Sequence, residues 1–268
     1  MPRGFNASLW TRIFAATFPN LPASVLSMDS VQISLVTPTY NERENLPLLA
    51  EEIFAIVGQE PDIDLELIVV DDNSPDGTGE VAESLKAHYP MQVIHRPGKL
   101  GLGSAVMAGF AQSARPYLGV IDADLSHDPA ILPELVHSLR ECDIAMGSRF
   151  GETSRVERWA WHRKLISRIG VGAARLLTGV EDPLSGYFCL RRQVIQDLAL
   201  TSSGYKILLE ILVKGRYRQH RSVPFVFRNR QFSASKLDLR EHLLFAKQIL
   251  YFSGYKLMGR HRGARSCD

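Results

Sequence analysis

Short apolar runs alternate along this chain with segments of helical period, and this alternation limits the possible folds more than any other feature. The runs cover residues 33–36, 65–70, 92–94, 118–121 and 144–146. Between them, apolar residues recur on one helical face, as at Leu46, Leu49, Ile53 and Ile56. A strand that alternates with a helix in this way predicts an α/β fold, with a Rossmann-like, mostly parallel sheet flanked by helices.

Composition and charge exclude several classes of protein. The chain has 268 residues, 45% apolar and 22% charged, which suits one large folded domain. Its net charge of +2 does not indicate a nucleic-acid partner. Cys142, Cys189 and Cys267 are odd in number and widely spaced, so we expect neither a disulfide framework nor a metal knuckle, and a reducing compartment fits best.

Membrane-spanning segments are not expected, because no stretch of about 18 uncharged apolar residues occurs. The first 27 residues differ from the rest. Their larger apolar side chains fall at helical spacing before two prolines: Leu9, Trp10, Ile13, Phe14 and Phe18, then Pro19 and Pro22. This segment is either a short interfacial helix or an extension before a domain that starts near Met28.

Polar clusters follow three of the predicted strands, at residues 37–42, 71–78 and 122–124. The carboxyl ends of parallel strands meet at one edge of a sheet, where ligands bind in open α/β folds. Each cluster alone is also compatible with turn chemistry, because Asn, Asp, Pro and Gly are the usual turn residues. Their coincidence at one edge favours a functional site.

Asp122 and Asp124 end a buried strand with two carboxylates one residue apart. Buried negative charge costs several kcal/mol unless a positive group neutralises it. Carboxylates without Cys or His ligands are hard oxygen donors, which favours Mg²⁺ or Mn²⁺ over zinc. Taken alone, the pair is equally compatible with a cap on the next helix.

A basic, glycine-rich loop occupies residues 96–103, after the third strand. It matches neither the dinucleotide-binding nor the P-loop pattern, which disfavours dehydrogenases and P-loop hydrolases. Such a loop before a helix either meets an anion or simply permits close packing.

In combination, these motifs resemble those of the polyprenol (dolichol) phosphate mannosyltransferases, inverting GT-A glycosyltransferases of family 2. The matching segments are Pro38-Thr39-Tyr40-Asn41-Glu42, Val69 to Thr78, Gly101-Leu102-Gly103, Asp122 to Pro129, Gly147-Ser148-Arg149, Asp182 with Ser185-Gly186, and Ser235-Lys236-Leu237. The resemblance implies transfer of mannose from GDP-mannose to a polyprenyl (dolichyl) phosphate. It covers about residues 31–237.

The resemblance also implies roles for individual residues. The guanosine would be held by Pro38, Tyr40, Glu42, Val70 and Asp72. Ribose, diphosphate and metal would be bound by Asp122, Ala123 and Asp124. Arg149, Arg230 and Lys236 would meet the phosphates, with Arg163 and Ser167 on the acceptor side. Ser126 stands where the family often has Gln, so it would contact the metal directly or through water. The approach to Ser-Lys-Leu, residues 231–234, also departs from the family's glycine-containing pattern.

The chemistry of such a transfer agrees with these residue types. A lipid phosphate is largely ionised at neutral pH and attacks without a general base. A phosphate approaching a departing diphosphate must be screened, which calls for a metal at Asp124 and for arginines at 149, 163 and 230. His127 follows the acid pair, and we expect it near the metal or, more often for such a residue, exposed.

Two amphipathic segments toward the C-terminus suit an acceptor that sits in a membrane. The first combines Trp159, Trp161, Leu165, Ile166, Ile169, Val171 and Leu176 with Arg163, Arg168 and Arg175. The second covers residues 243–258 and is followed by basic residues. Both favour a peripheral protein at the cytoplasmic face. Packing on the core or on a partner subunit, including one that anchors the protein, is the alternative.

We therefore divide the chain into an N-terminal extension (1–30), a GT-A domain (31–237) and a C-terminal amphipathic helix with a basic tail (238–268). Alternative functions are transfer from another sugar nucleotide such as UDP-glucose, a non-catalytic nucleotide-sugar-binding subunit and, less favoured, a nucleotidyltransferase. The complete set of acids and cations argues against the non-catalytic alternative.

Overall fold

One sheet of eight strands organises the described part of the chain. A computed structural model of the protein describes residues 30–150, 161–200, 206–228, 239–257 and 265–266. The strands are β1 (Val31–Thr39), β2 (Ile63–Asp71), β3 (Met91–His95), β4 (Tyr117–Val120), β5 (Ile144–Ser148), β6 (Phe188–Arg191), β7 (Gln219–Pro224) and β8 (Arg265–Ser266). Their order across the sheet is β3-β2-β1-β4-β6-β5-β7-β8.

The sheet is mostly parallel, as predicted. Of the strands described, only β6 runs antiparallel, and it lies between β4 and β5. The helices are α1 (Asn45–Val57), α2 (Thr78–Leu85), α3 (Leu102–Gln112), α4 (Leu132–Ser138), α5 (Trp161–Thr178), α6 (Ile207–Lys214) and α7 (Leu239–Leu257). Short 3₁₀ turns cover Pro129–Ile131 and Arg192–Val194. The predicted α/β class is confirmed.

Each central strand contributes to two apolar layers, because successive side chains of a strand point to opposite faces. Leu35 and Leu67 belong to the layer that includes α1 and α4, whereas Val36 and Ile68 belong to the layer that includes α3 and α6. All four side chains are fully buried. Burial on both faces explains why these strands are continuous apolar runs rather than alternating ones.

Helices form at both predicted amphipathic segments, as α5 and α7. Together with α6 they share a third apolar cluster, in which Val171, Ala174 and Leu177 of α5 pack with Phe252 of α7. Val171 is therefore buried by protein, whereas Leu176 is 85% exposed. Within the helices that the structure describes, no segment is both long enough and apolar enough to cross a membrane.

Four of the described strands and helices escaped the sequence analysis: β6, β7, the two-residue β8 and α6. β6 is four residues long, and β7 carries Gln, His, Arg and Ser, so neither gives a clear apolar run. The sequence analysis expected no disulfide framework, and this was wrong at Cys142, which is disulfide-bonded. Cys189 is a buried free thiol. The interfacial segment expected within residues 1–27 lies outside the described residues, and the division into three segments stays a prediction.

Close packing of α3 on β1 generates a stability prediction at Gly109. A Cβ atom there would lie 2.5 Å from Cγ1 and 2.7 Å from Cγ2 of Val36. Gly109→Ala should therefore lower the free energy of unfolding by about 1–3 kcal/mol through overpacking, measured by urea denaturation. Gly172→Ala in α5 is the control, because a Cβ at this helical position meets nothing within 4 Å. It should stabilise by up to about 1 kcal/mol, and equal effects of the two changes would contradict the packing argument.

Candidate active site

The polar clusters meet at one edge of the sheet. β1, β2 and β4 are parallel neighbours, so their carboxyl ends share this edge. β6 is antiparallel to both β4 and β5, which makes β5 parallel to β4 and places Arg149, just after β5, at the same edge. The segment that precedes β6 enters from this edge as well. It carries Asp182 and Gly186.

The acid pair sits in a tight loop after β4. Asp124 is buried and accepts a hydrogen bond from the Ser126 backbone amide at 3.0 Å, while the Asp122 side chain is one quarter exposed. Leu125, which follows Asp124, has a φ of 58°. A left-handed conformation is uncommon for a residue other than glycine and marks a loop held by its surroundings. The loop thus fixes one carboxylate while the other faces the open edge.

Arg149 and Asp182 form a buried, bidentate ion pair. The guanidinium donates from Nε and Nη2 to the two carboxylate oxygens at 2.8 Å each, and the Arg149 backbone amide donates to the same group at 3.2 Å. Burial alone would lower the pKa of Arg149, but the hydrogen bonds and charge of Asp182 raise it, with Asp122 contributing. The guanidinium therefore stays charged despite its burial, and Asp182 is committed to Arg149.

Gly186 allows the segment before β6 to pass directly beside Asp122. A Cβ atom at this position would lie 2.7 Å from Oδ2 of Asp122. Any larger residue would push on the carboxylate that faces the open edge. The glycine is thus required by close approach rather than by an unusual backbone angle.

The predicted nucleoside side of the site is organised around Asp72. Its carboxylate pairs with Arg96 at 2.9 Å and accepts from the Leu100 backbone amide at 3.1 Å. Burial raises the pKa of Asp72, although Arg96 and the amides of Leu100 and Gly101 oppose this. Arg96 also donates to Ser104 Oγ at 2.7 Å. These contacts attach the basic glycine loop to the end of β2, a link that periodicity did not predict.

Asp71, the neighbour of Asp72, ties two loops together. It accepts hydrogen bonds from the hydroxyls of Thr39 and Ser74, and from the Ser74 amide. The Asn41 amide in turn donates to Ser74 Oγ at 3.0 Å. Asn41 and Asn73 adopt φ values of 61° and 57°, which asparagine tolerates better than most residues. The loops after β1 and β2 therefore form one hydrogen-bonded unit.

Tyr40 and Glu42 occupy the rim of this unit. The ammonium of Lys99 lies 4.3 Å from the centre of the Tyr40 ring, a cation–π contact from the glycine loop. Glu42 accepts from the Asn45 amide group at 2.6 Å, and its own backbone amide donates to Thr78. A polar cleft of about 600 Å³ opens here, between residues 41–45 and Pro75–Asp76.

His127 is buried, and the expectation that it is exposed was wrong. Its ring packs against Tyr187, Phe225 and Phe227, with centroid distances of 5.5–5.6 Å. Burial lowers the pKa of His127 to about 4, so the ring is neutral near pH 7. Its Nδ1 lies 3.8 Å from Asp122 Oδ2 and has no hydrogen-bond partner within the described part of the chain. Tyr187 immediately precedes β6, and Phe225 and Phe227 follow β7, the two strands that the sequence analysis missed.

A divalent cation fits the residues at this edge. Asp122, Asp124 and Ser126 offer oxygen atoms only, which is the donor set that Mg²⁺ and Mn²⁺ prefer. Among the described residues, the one preformed acid and histidine cluster is Glu60, Asp62 and His137. It lies at the opposite edge, before β2, where Arg140 already binds Asp62 at 2.6 Å.

Most predicted site residues that the structure describes lie at the same edge. They are Pro38, Tyr40, Glu42, Val70, Asp72, Asp122, Ala123, Asp124, Ser126 and Arg149. The backbone of Arg163 and Ser167 belongs to α5, but their side chains lie outside the described part of the chain. Arg230 and Lys236 also lie outside it.

Comparison with known proteins agrees with this geometry. A sequence model of glycosyl transferase family 2 matches residues 34–199. Dolichol-phosphate mannosyltransferase of Pyrococcus furiosus is 41% identical over 234 residues, which cover 85% of this chain and 64% of that protein. This chain thus spans less than two thirds of that relative. The dolichol-phosphate mannosyltransferase of Saccharomyces cerevisiae is 35% identical over 82% of this chain and 86% of its own length.

Among solved structures, the fold is similar to that of glucosyl-3-phosphoglycerate synthase from Mycobacterium tuberculosis, determined with Mn²⁺, UDP-glucose and phosphoglyceric acid. The TM-score is 0.63 at 20% identity, with 95% of this chain and 86% of that chain covered. This similarity concerns the fold, and it confirms the predicted GT-A architecture.

The Arg149–Asp182 pair generates a second stability prediction. Asp182→Asn keeps the shape of the side chain but leaves a buried guanidinium without its countercharge. The free energy of unfolding should fall by about 3–5 kcal/mol, measured by urea denaturation. Lys86→Met is the control, because Lys86 pairs with Glu83 on an exposed surface and should contribute less than about 1 kcal/mol. A loss no larger than that of the control would show that Asp182 does not stabilise the buried charge.

Proposed function

Because the chain belongs to glycosyl transferase family 2, we propose that it transfers mannose from GDP-mannose to a polyprenyl (dolichyl) phosphate, with inversion and with the aid of Mg²⁺ or Mn²⁺. The product is a polyprenyl phosphate mannose. The identity to the two dolichol-phosphate mannosyltransferases supports the proposal.

The observation that carries the proposal is the commitment of Asp182 to Arg149. Both oxygens of this carboxylate are engaged by the guanidinium, so it is poorly suited to take a proton from an acceptor. His127 is buried with a pKa of about 4 and is a weak base near neutral pH. A hydroxyl acceptor would need such a base, whereas a phosphate monoester is largely a dianion above its second pKa of about 6.

The acid pair would hold the metal. Asp124 is fixed by its bond from the Ser126 amide, Asp122 faces the open edge, and Ser126 adds an oxygen directly or through water. A divalent cation at this place supplies Lewis acidity that stabilises the charge of a departing diphosphate. The nucleoside would lie toward Tyr40, Glu42 and Asp72, in a region already ordered by its own hydrogen bonds.

Positive charge must allow the two phosphates to approach. Two unit negative charges about 5 Å apart repel by roughly 3 kcal/mol at an effective dielectric constant of 20. Asp182 holds the Arg149 guanidinium in place and offsets its charge. Arg163, Arg230 and Lys236 are the further cations that we assign to the donor and acceptor phosphates.

The acceptor places the protein at a membrane surface, and we infer a peripheral location at the cytoplasmic face. Three exposed apolar side chains suit contact with lipid, namely Leu176 on α5 and Leu250 and Tyr251 on α7. A membrane-anchoring partner subunit would serve the same purpose.

Replacing Asp124 tests the reaction directly. Wild-type protein is mixed with a short-chain prenyl phosphate, Mg²⁺ or Mn²⁺, and either GDP-mannose or UDP-glucose, and nucleoside diphosphate release is followed. We expect turnover with GDP-mannose and a fall of about 100-fold or more in Asp124→Ala, because the metal loses a ligand. Glu51→Gln, on the exposed surface of α1, is the control. Turnover with UDP-glucose alone would reassign the donor, and undiminished turnover of Asp124→Ala would refute the metal mechanism.

Replacing Arg163 separates the acceptor from the donor. Arg163→Met removes one charge assigned to the acceptor phosphate, so the KM for prenyl phosphate should rise about tenfold. The affinity for GDP, measured by calorimetry, should stay within about twofold of the wild type. A collapse of GDP affinity instead would move Arg163 to the donor side.

A further inference from the structure

Arg175 near the end of α5 is held in place by two contacts that leave part of its guanidinium open. Its Cζ lies 4.7 Å from the centre of the Phe150 ring. Its Nε donates to the backbone carbonyl of Glu181 at 2.5 Å. Among the described residues, no acceptor receives a hydrogen bond from its Nη1 or Nη2. The outer edge of the guanidinium is therefore oriented but uncommitted.

Phe150 connects this guanidinium to the active site. The Cζ atom of Arg149 lies 5.8 Å from the centre of the same ring and 5.7 Å from that of Phe227. The Phe150 residue is 36% exposed. The Phe150 ring thus contacts two guanidinium groups. Asp182 neutralises that of Arg149, whereas that of Arg175 is not paired with a carboxylate among the described residues.

The two arginines differ in what they offer an incoming anion. Arg149 uses Nε and Nη2 on Asp182, so the net charge of that pair is close to zero. Arg175 uses only Nε, and its bond goes to a neutral carbonyl. The two remaining nitrogen atoms form the planar fork that matches two phosphate oxygens. The stacking on Phe150 lowers the entropy that this side chain would lose on binding.

We propose that Arg175, supported by Phe150, forms a phosphate-binding subsite beside Arg149. The inference rests on the proposed function, which brings two phosphate sources to this edge: the monoester of the lipid acceptor and the diphosphate of the donor. The position of Arg175 on α5, the helix that also carries Arg163 and Ser167, favours the acceptor. Phe150 acts as a positioning residue, because it holds the guanidinium and need not touch the phosphate.

The test compares Arg175→Met, Arg175→Lys and Phe150→Leu with the wild type. The Kd of a short-chain prenyl phosphate is measured without donor, and its KM is measured in the transfer assay. The affinity for GDP is measured in the presence of Mg²⁺. Arg175→Met should raise the Kd and KM for prenyl phosphate about tenfold and leave GDP affinity within about twofold. Arg175→Lys keeps the charge but not the fork and should show a smaller loss. Phe150→Leu should raise the KM about threefold with kcat nearly unchanged.

Arg140→Met is the matched control, because Arg140 binds Asp62 at the opposite edge of the sheet and should leave both ligands unaffected. A loss of GDP affinity in Arg175→Met, with acceptor binding intact, would support the phosphate subsite and assign it to the donor. Unchanged affinity for both ligands in folded Arg175→Met and Arg175→Lys would overturn the inference. A wild type that binds prenyl phosphate without turnover would contradict the proposed function alone, since the binding comparison still tests Arg175.

Discussion

The buried ion pair of Arg149 and Asp182 is the contact on which the arrangement of the active edge depends. It joins the end of β5 to the segment that leads into β6, the strand that runs antiparallel to its two neighbours. Through that segment it also sets the position of Gly186 against Asp122. A buried pair of this kind contributes less to stability than to geometry, because desolvation offsets much of its Coulomb energy. Its role here is to fix the guanidinium of Arg149 where it interacts with the charge of Asp122.

Periodicity predicted the part of the fold whose strands and helices carry distinct apolar faces. β1 to β5 and their helices bury apolar faces that are visible in the chain, and parallel strands bring their carboxyl ends together. The same reasoning failed for β6 and β7, because a four-residue antiparallel strand and a polar strand have no distinctive period. His127 was misplaced for this reason, since its aromatic neighbours come from those two regions.

The candidate site was predicted as a set of residues but not as a set of partners. Asp72 and Arg96 are each recognisable in sequence, yet only the structure joins them and binds the glycine loop to the end of β2. Asp182 likewise carries no sign in sequence that its partner lies 33 residues earlier. Pairs of this range depend on the course of the backbone, which residue type and spacing do not specify. They matter because they order the site before a ligand arrives.

The electrostatic design separates two tasks that arginine performs. An arginine bound to a buried carboxylate is rigid, but it adds little net charge to the site. An arginine stacked on an aromatic ring keeps its full charge, because the ring orients it without neutralising it. Arg149 is of the first kind and Arg175 of the second, and Phe150 lies between them. A reaction that brings two phosphates together needs both, since rigidity aligns the reacting groups and only uncompensated charge offsets their repulsion.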